Sequence, residues 1–211
     1  KQLLRGVDGN IPEGALCALI GPTGSGKSTL LDLLTGRREF GRCSGKFLFY
    51  GNSITDQRVK EEYLSQSGYM RQLQTGFLDG LSAIDNLVFA VMMRFPGDVE
   101  EQTRRVQRAI ELTKLGESIH TKAADLSGGL KRRLSLALEL LAHRRVLFLD
   151  EPTSGLDASG SLDIMTVLKR LSSNMTIVVS IHQPRPEIWI LFSHSLILNF
   201  GRIVFSGPAN E

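Results

Sequence analysis

The clearest chemistry in the chain lies in the run Gly21-Pro22-Thr23-Gly24-Ser25-Gly26-Lys27-Ser28-Thr29. Its spacing, G-x-x-x-x-G-K-S, is that of a loop whose backbone amides turn inward around phosphate groups. A helix opening at such a loop adds the positive end of its dipole to the same anion. Lys27 would bring a mobile charge to the β- and γ-phosphates, and Ser28 an oxygen for Mg2+. An apolar run just upstream and leucines just downstream supply the strand and helix that this geometry needs.

A second group follows the run Val146-Leu147-Phe148-Leu149, which ends in Asp150-Glu151. A buried strand would deliver Asp150 at its carboxyl end, where open α/β sheets place their ligands. A carboxylate there can hold Mg2+, directly or through water. Glu151 would reach toward the γ-phosphate and polarise the attacking water. A third group, Leu126-Ser127-Gly128-Gly129-Leu130, stands before a leucine-rich helix. Ser and Gly also begin helices for simple capping reasons. Beside a phosphate loop, however, a second amide-rich helix start reads as a second phosphate contact.

The elements that must position these residues can be outlined from pattern. Ala15–Ile20 is a continuous apolar run, as expected of a strand covered on both faces. Ser28–Gly36 reads as a helix stopped by glycine, and Lys46–Tyr50 as a strand ending in a turn. This first segment, up to about Met70, is expected to be strand-rich around one helix. A middle segment, about 72 to 144, is helical. It holds apolar Ile84–Met93, amphipathic Val99–Leu115 and Leu130–Ala142, with a break at Phe95-Pro96-Gly97-Asp98. Strands resume at Val146–Leu149, Thr176–Ile181, Ser195–Asn199 and Ile203–Ser206, with helices at Ser159–Leu171 and Glu187–Phe192. The alternation implies an α/β fold: a P-loop NTPase core with a mainly parallel sheet and an inserted α-helical subdomain. One domain is expected, its core formed by residues 1–71 and 145–211, with antiparallel β structure near the N-terminus.

With the motifs in this order, the chain resembles the nucleotide-binding domain of ATP-binding cassette (ABC) transporters. Leu126–Gly129 is similar to the family's signature, between phosphate loop and acidic strand. Gln72 resembles the Q-loop glutamine, Ser154-Gly155-Leu156-Asp157 the D-loop, and His182 the switch histidine. The resemblance implies catalytic roles for Glu151, His182 and Gln72, and a share of Mg2+ binding for Gln72 beside Ser28 and Asp150. It also implies that Ser127, Gly128 and Gly129 of a second copy close over the ATP, with Asp157 communicating across that interface. Ile181-His182-Gln183-Pro184-Arg185 and Gly201-Arg202-Ile203-Val204-Phe205-Ser206-Gly207 are similar to the G subfamily of white/pigment-precursor and sterol-exporter half-transporters. The family implies a transmembrane domain as partner, export of a lipid or other hydrophobic cargo, and a position on the cytosolic face of a membrane. The chain itself reads as an excised domain without that membrane part. Soluble ABC ATPases acting on ribosomes or DNA share the motifs but usually carry paired cassettes or a coiled-coil insertion. A non-hydrolysing regulatory cassette would lack Glu151, His182 or Ser127, and all three are present.

Two departures from the family pattern stand out. Leu130 occupies a place usually held by Gln or Glu, and no aromatic residue for adenine lies between Lys1 and Ala15. His120, His143 and His194 match no motif. Bulk composition adds little direction. With 211 residues, 42% hydrophobic and 22% charged, the chain can bury a real core. A net charge of +3 favours no anionic partner, and no nucleic acid is expected despite pairs such as Arg37-Arg38 and Arg104-Arg105. Two cysteines, Cys17 and Cys43, make no disulfide framework, and a reducing compartment follows.

Overall fold

The computed structural model describes residues 2–36, 44–72, 76–142 and 144–210. Cys43, Arg37-Arg38 and His143 lie outside these. Two compact units are formed. The first comprises Lys1–Tyr69, Arg144–Glu151 and Leu168–Glu211, and the second Met70–His143 and Pro152–Val167.

The first unit is built on strands β1 (Leu16–Ile20), β2 (Leu48–Phe49), β3 (Asn52–Ser53), β4 (Ser67–Met70), β5 (Val146–Asp150), β6 (Thr176–Ser180), β7 (His194–Asn199) and β8 (Arg202–Pro208). Six of them form one sheet in the order β4-β5-β6-β1-β7-β8. The pairs β5–β6, β6–β1 and β1–β7 are parallel, and β7–β8 is antiparallel. β6 is buried along its whole length, and β1 as far as its last residue. That burial is why β1 is an unbroken apolar run and β6 has Ile177-Val178-Val179 at its centre. Cys17 sits at 0% exposure within β1, and burial pushes its thiol up to about 12. It is a packing residue of that strand.

β2 and β3 form a separate antiparallel pair of two residues each. The expected strand Lys46–Tyr50 is thus reduced to Leu48–Phe49, with Leu48 exposed and Phe49 packed against Tyr63. The first segment also holds two helices, where its pattern suggested one. α1 (Lys27–Leu34) was anticipated; α2 (Gln57–Gln66) was not. Only Tyr63 of α2 is buried, so the helix has almost no apolar stripe to read. Its start is fixed instead by Asp56, whose carboxylate accepts from the amides of Arg58 and Val59. The Tyr63 hydroxyl donates to the carbonyl of Leu34 and ties α2 to the end of α1.

The second unit packs α3 (Ala83–Arg94), α4 (Val99–Thr113) and α5 (Gly128–Leu140) around Leu87, Val91, Val106, Leu134 and Leu138. Each begins at a side-chain cap, Ser82, Asp98 and Ser127 respectively. Those caps satisfy amides that would otherwise lack partners. α6 (Ala158–Leu171) follows Asp157, and α7 (Pro186–Trp189) starts with proline in its first turn. Among the described residues, no helix is long and apolar enough to cross a membrane.

Candidate functional site

The phosphate loop runs from the end of β1 to the first turn of α1. Gly26, at φ 107, occupies the left-handed region as the residue before α1, and no side chain caps that helix. Gly21 is required for another reason. A methyl group there would lie 2.1 Å from the carbonyl oxygen of Leu198 and 2.7 Å from Ser25 Oγ. Strand β7 therefore presses against the loop so closely that only glycine fits. A Gly21→Ala substitution should cost about 2–4 kcal/mol of stability. The melting midpoint should then fall by on the order of 10 °C; an unchanged midpoint would show that the loop can move aside.

Lys27 is buried, and its ammonium donates to the carbonyls of Gly21 (2.8 Å) and Pro22 (3.2 Å). Among the described residues no carboxylate lies within ion-pair distance of it. Desolvation lowers its pKa, opposed by the nearby charges of Glu151 and Asp150. A cation held this way lacks a counter-ion of its own, which is the electrostatic setting an incoming phosphate would answer. Ser25 Oγ is buried with no hydrogen-bond partner. Ser28 and the loop tip Pro22-Thr23-Gly24 are exposed, while Thr29 is half-buried. Uncapped helix, unpaired cation and orphaned hydroxyl together suit a polyphosphate.

His182 joins this group from the end of β6. Its Nε2 is 3.2 Å from Lys27 Nζ and 3.3 Å from Glu151 Oε1. One nitrogen cannot serve both neighbours at once. A proton on Nε2 serves the carboxylate, and a bare Nε2 accepts from the ammonium. The imidazole thus has two hydrogen-bonded states open to it, divided by a single proton.

Asp150 and Glu151 are held by a residue that motif reading missed. The Ser180 hydroxyl donates to Asp150 Oδ1 at 2.5 Å and accepts from the Glu151 amide at 2.9 Å. The Ser180 carbonyl also accepts from that amide, at 3.2 Å. Glu151 needs this support, because its φ of 49° is uncommon for any residue other than glycine. Ser180 stands opposite Asp150 in the β5–β6 register. No local motif marks it; only the strand pairing gives it away.

The remaining site residues belong to the second unit. Ser127 caps α5 by accepting from the Leu130 amide. Ser127, Gly128, Gly129 and Asp157 line one cavity of about 690 Å³, a volume typical of ligand pockets. Lys114 and Arg133 face it too, each paired to Asp163. The signature-like turn and the D-loop-like turn, distant in sequence, are therefore neighbours. Leu130 lies on the same wall. Gln72 is exposed, two residues past β4. His120 is exposed and His194 begins β7.

Comparison with known proteins agrees with this geometry. Residues 4–154 match the family model described as ABC transporter. ABC transporter G family member 12 of Dictyostelium discoideum is 38% identical over 218 residues, 97% of this chain and 33% of that protein. ABC transporter G family member STR2 of Medicago truncatula is 36% identical over 217 residues, 100% of this chain and 29% of that protein. The chain spans between 19% and 35% of the length of such curated relatives. Among solved structures, cbiO1 of Clostridium perfringens, part of the ABC transporter complex cbiONQ, superposes with a TM-score of 0.87. It shares 26% identity with the chain, and the match covers 99% of this chain and 82% of that one. A phosphate loop, an acid pair and a switch-like histidine gathered on one sheet, together with these matches, identify the chain as a member of the ABC transporter family, in which it is the ATP-binding, ATP-hydrolysing domain.

Proposed function

We propose that the chain hydrolyses ATP in a site shared by two copies, and that this cycle drives export through a transmembrane domain. The observation that carries the reading is the cluster of Lys27, His182 and Glu151 at the mouth of the phosphate loop. Lys27 leaves the loop carbonyls and takes the β- and γ-phosphates. The amides from Gly21 to Thr29 wrap the same anion. Glu151 accepts a proton from the attacking water, and His182, released by Lys27, donates from Nε2 toward the γ-phosphate. Ser180 positions both acids and touches no substrate.

Ser28 and Asp150 would supply hard oxygen donors of the kind that suit Mg2+. When bound, the ion would neutralise charge on the β- and γ-phosphates.

Ser127, Gly128 and Gly129 act on the nucleotide held by another copy, with Asp157 beside them at the contact. ATP then joins two chains, and hydrolysis leaves like charges between them that favour separation. The exposed side chains of Phe89, Met92 and Met93 on α3 offer an apolar face for the transmembrane partner. A place on the cytosolic side of a membrane and a lipid or similarly hydrophobic cargo rest on the likeness to G-type exporters. The transporter names of the relatives favour this reading over a ribosome- or DNA-directed ATPase.

The test is the ATPase rate per chain, followed over about a hundred-fold range of protein concentration. The rate should climb with concentration and then level off as pairs form. A rate independent of concentration down to the most dilute sample would overturn the shared site.

A further inference from the structure

The turns Ser127–Gly129 and Ser154–Asp157 each lead into a helix. Ser127 caps α5, and Asp157 caps α6 by accepting from the Gly160 amide at 2.9 Å. The turns themselves touch, since a methyl group on Gly129 would lie 3.5 Å from Leu156 Cδ2. Beyond that contact the backbones of α5 and α6 approach each other little, and the cavity occupies the gap between them. Direct helix packing therefore does little to hold one turn against the other.

Long side chains span the gap instead. Two consecutive arginines of α5 reach across it. Arg132 is buried, 5% exposed, and donates from Nη2 to the Ser154 carbonyl at 3.4 Å. Arg133 donates from Nη2 to Asp163 Oδ2 on α6 at 3.0 Å. From Nη1 it donates to the carbonyl of Thr113, the last residue of α4, at 3.1 Å. The Arg133 side chain is only 15% exposed, so its guanidinium depends on these acceptors. The planar fork fixes the direction of each bond. Lys114 brings a second charge to Asp163, 3.5 Å from Oδ1. Arg133 and Asp163 stand the same number of residues beyond the caps Ser127 and Asp157. The pair thus ties the two helices together just behind the two turns.

We propose that Asp163 is a positioning residue for hydrolysis. Through Arg133 it fixes the signature turn against the Ser154–Asp157 turn, so that a chain presents both to its partner's nucleotide as one face. The proposal rests on the shared-site reading above and names the side chain that keeps the donated face in shape. Asp163 itself touches no nucleotide. With its carboxylate 43% exposed, the pair contributes little to stability. Its effect is geometric, and a shift of about an ångström at a donated turn can cost up to about a hundred-fold in rate.

The experiment mixes equal amounts of Lys27→Ala and Ser127→Glu chains with excess ATP and Mg2+. The working site of a mixed pair takes its phosphate loop from the Ser127→Glu chain and its signature turn from the Lys27→Ala chain. Asp163→Ala is then added to one chain or the other. In the Lys27→Ala chain it should lower the rate of the mixture by about five- to fifty-fold. In the Ser127→Glu chain, whose own turn is already disabled, it should leave the rate unchanged. Asp163→Glu in the Lys27→Ala chain keeps the charge and should retain most of the rate. Melting midpoints should stay close to the parent's, because an exposed pair is lost. Equal losses from both placements would make Asp163 a general support of the fold and overturn the proposal, as would no loss from either. A mixture inactive even without the Asp163 change would defeat the shared-site reading first, and the proposal with it.

Discussion

A Glu151→Gln chain is expected to bind ATP as the parent does and to hydrolyse it about 10²–10⁴-fold more slowly. The substitution keeps shape and size, so the support of residue 151 by Ser180, through the backbone amide, is untouched. What disappears is an oxygen able to take a proton from water. With the nucleotide bound and uncleaved, two chains should stay joined, visible as a dimer by sedimentation in ATP. A further consequence concerns Lys27. Burial lowers its pKa while Glu151 and Asp150 oppose the shift. Removing the Glu151 charge leaves Asp150 alone in opposition, so the pKa moves further down. ATP binding that depends on the charged ammonium should then be lost at lower pH in the variant as pH rises. Hydrolysis at the parental rate would remove Glu151 from its role.

How much of this was legible in the sequence depends on what each element buries. β1, β5 and β6 could be read because burial on both faces leaves apolar residues at their centres, Leu16–Ile20, Val146–Leu149 and Ile177–Val179. α2 could not, since Tyr63 is its single buried residue and Val59 and Leu64 are its only other apolar side chains. The strand expected at Lys46–Tyr50 shortens to Leu48–Phe49 for a related reason. Its partner Asn52–Ser53 supplies only two residues to pair with, so the ladder stops where the apolar letters continue.

The site divides the same way. The phosphate loop, the acid pair and the capping turn at Ser127 are contiguous in sequence, and each has a local physical reason for its composition. Ser180 acts through neighbours brought by strand pairing. Its meaning appears only once β6 is set beside β5. The shared cavity of Ser127 and Asp157 is likewise a product of folding, with no trace in spacing.

Mixing two inactive variants gives the sharpest expectation for the shared site. Lys27→Ala removes the loop's cation, and Ser127→Glu sets a carboxylate where a partner's γ-phosphate is to be received. The cap on α5 weakens by about 1 kcal/mol in the second variant, too little to unfold the unit. Each variant alone should hydrolyse ATP at a small fraction of the parental rate. In an equal mixture, half of the pairs contain one chain of each kind. In such a pair one site combines the intact loop of the Ser127→Glu chain with the intact signature turn of the Lys27→Ala chain. The other site carries both defects. If pairing is two-fold symmetric and each site works alone, the mixture should recover about a quarter of the parental rate. If loop and signature turn served the same chain, every site in the mixture would keep one defect, and no activity would return at any ratio. Recovery that rises and falls with the mixing ratio, with its maximum near equality, is therefore an outcome that only donation between chains can produce.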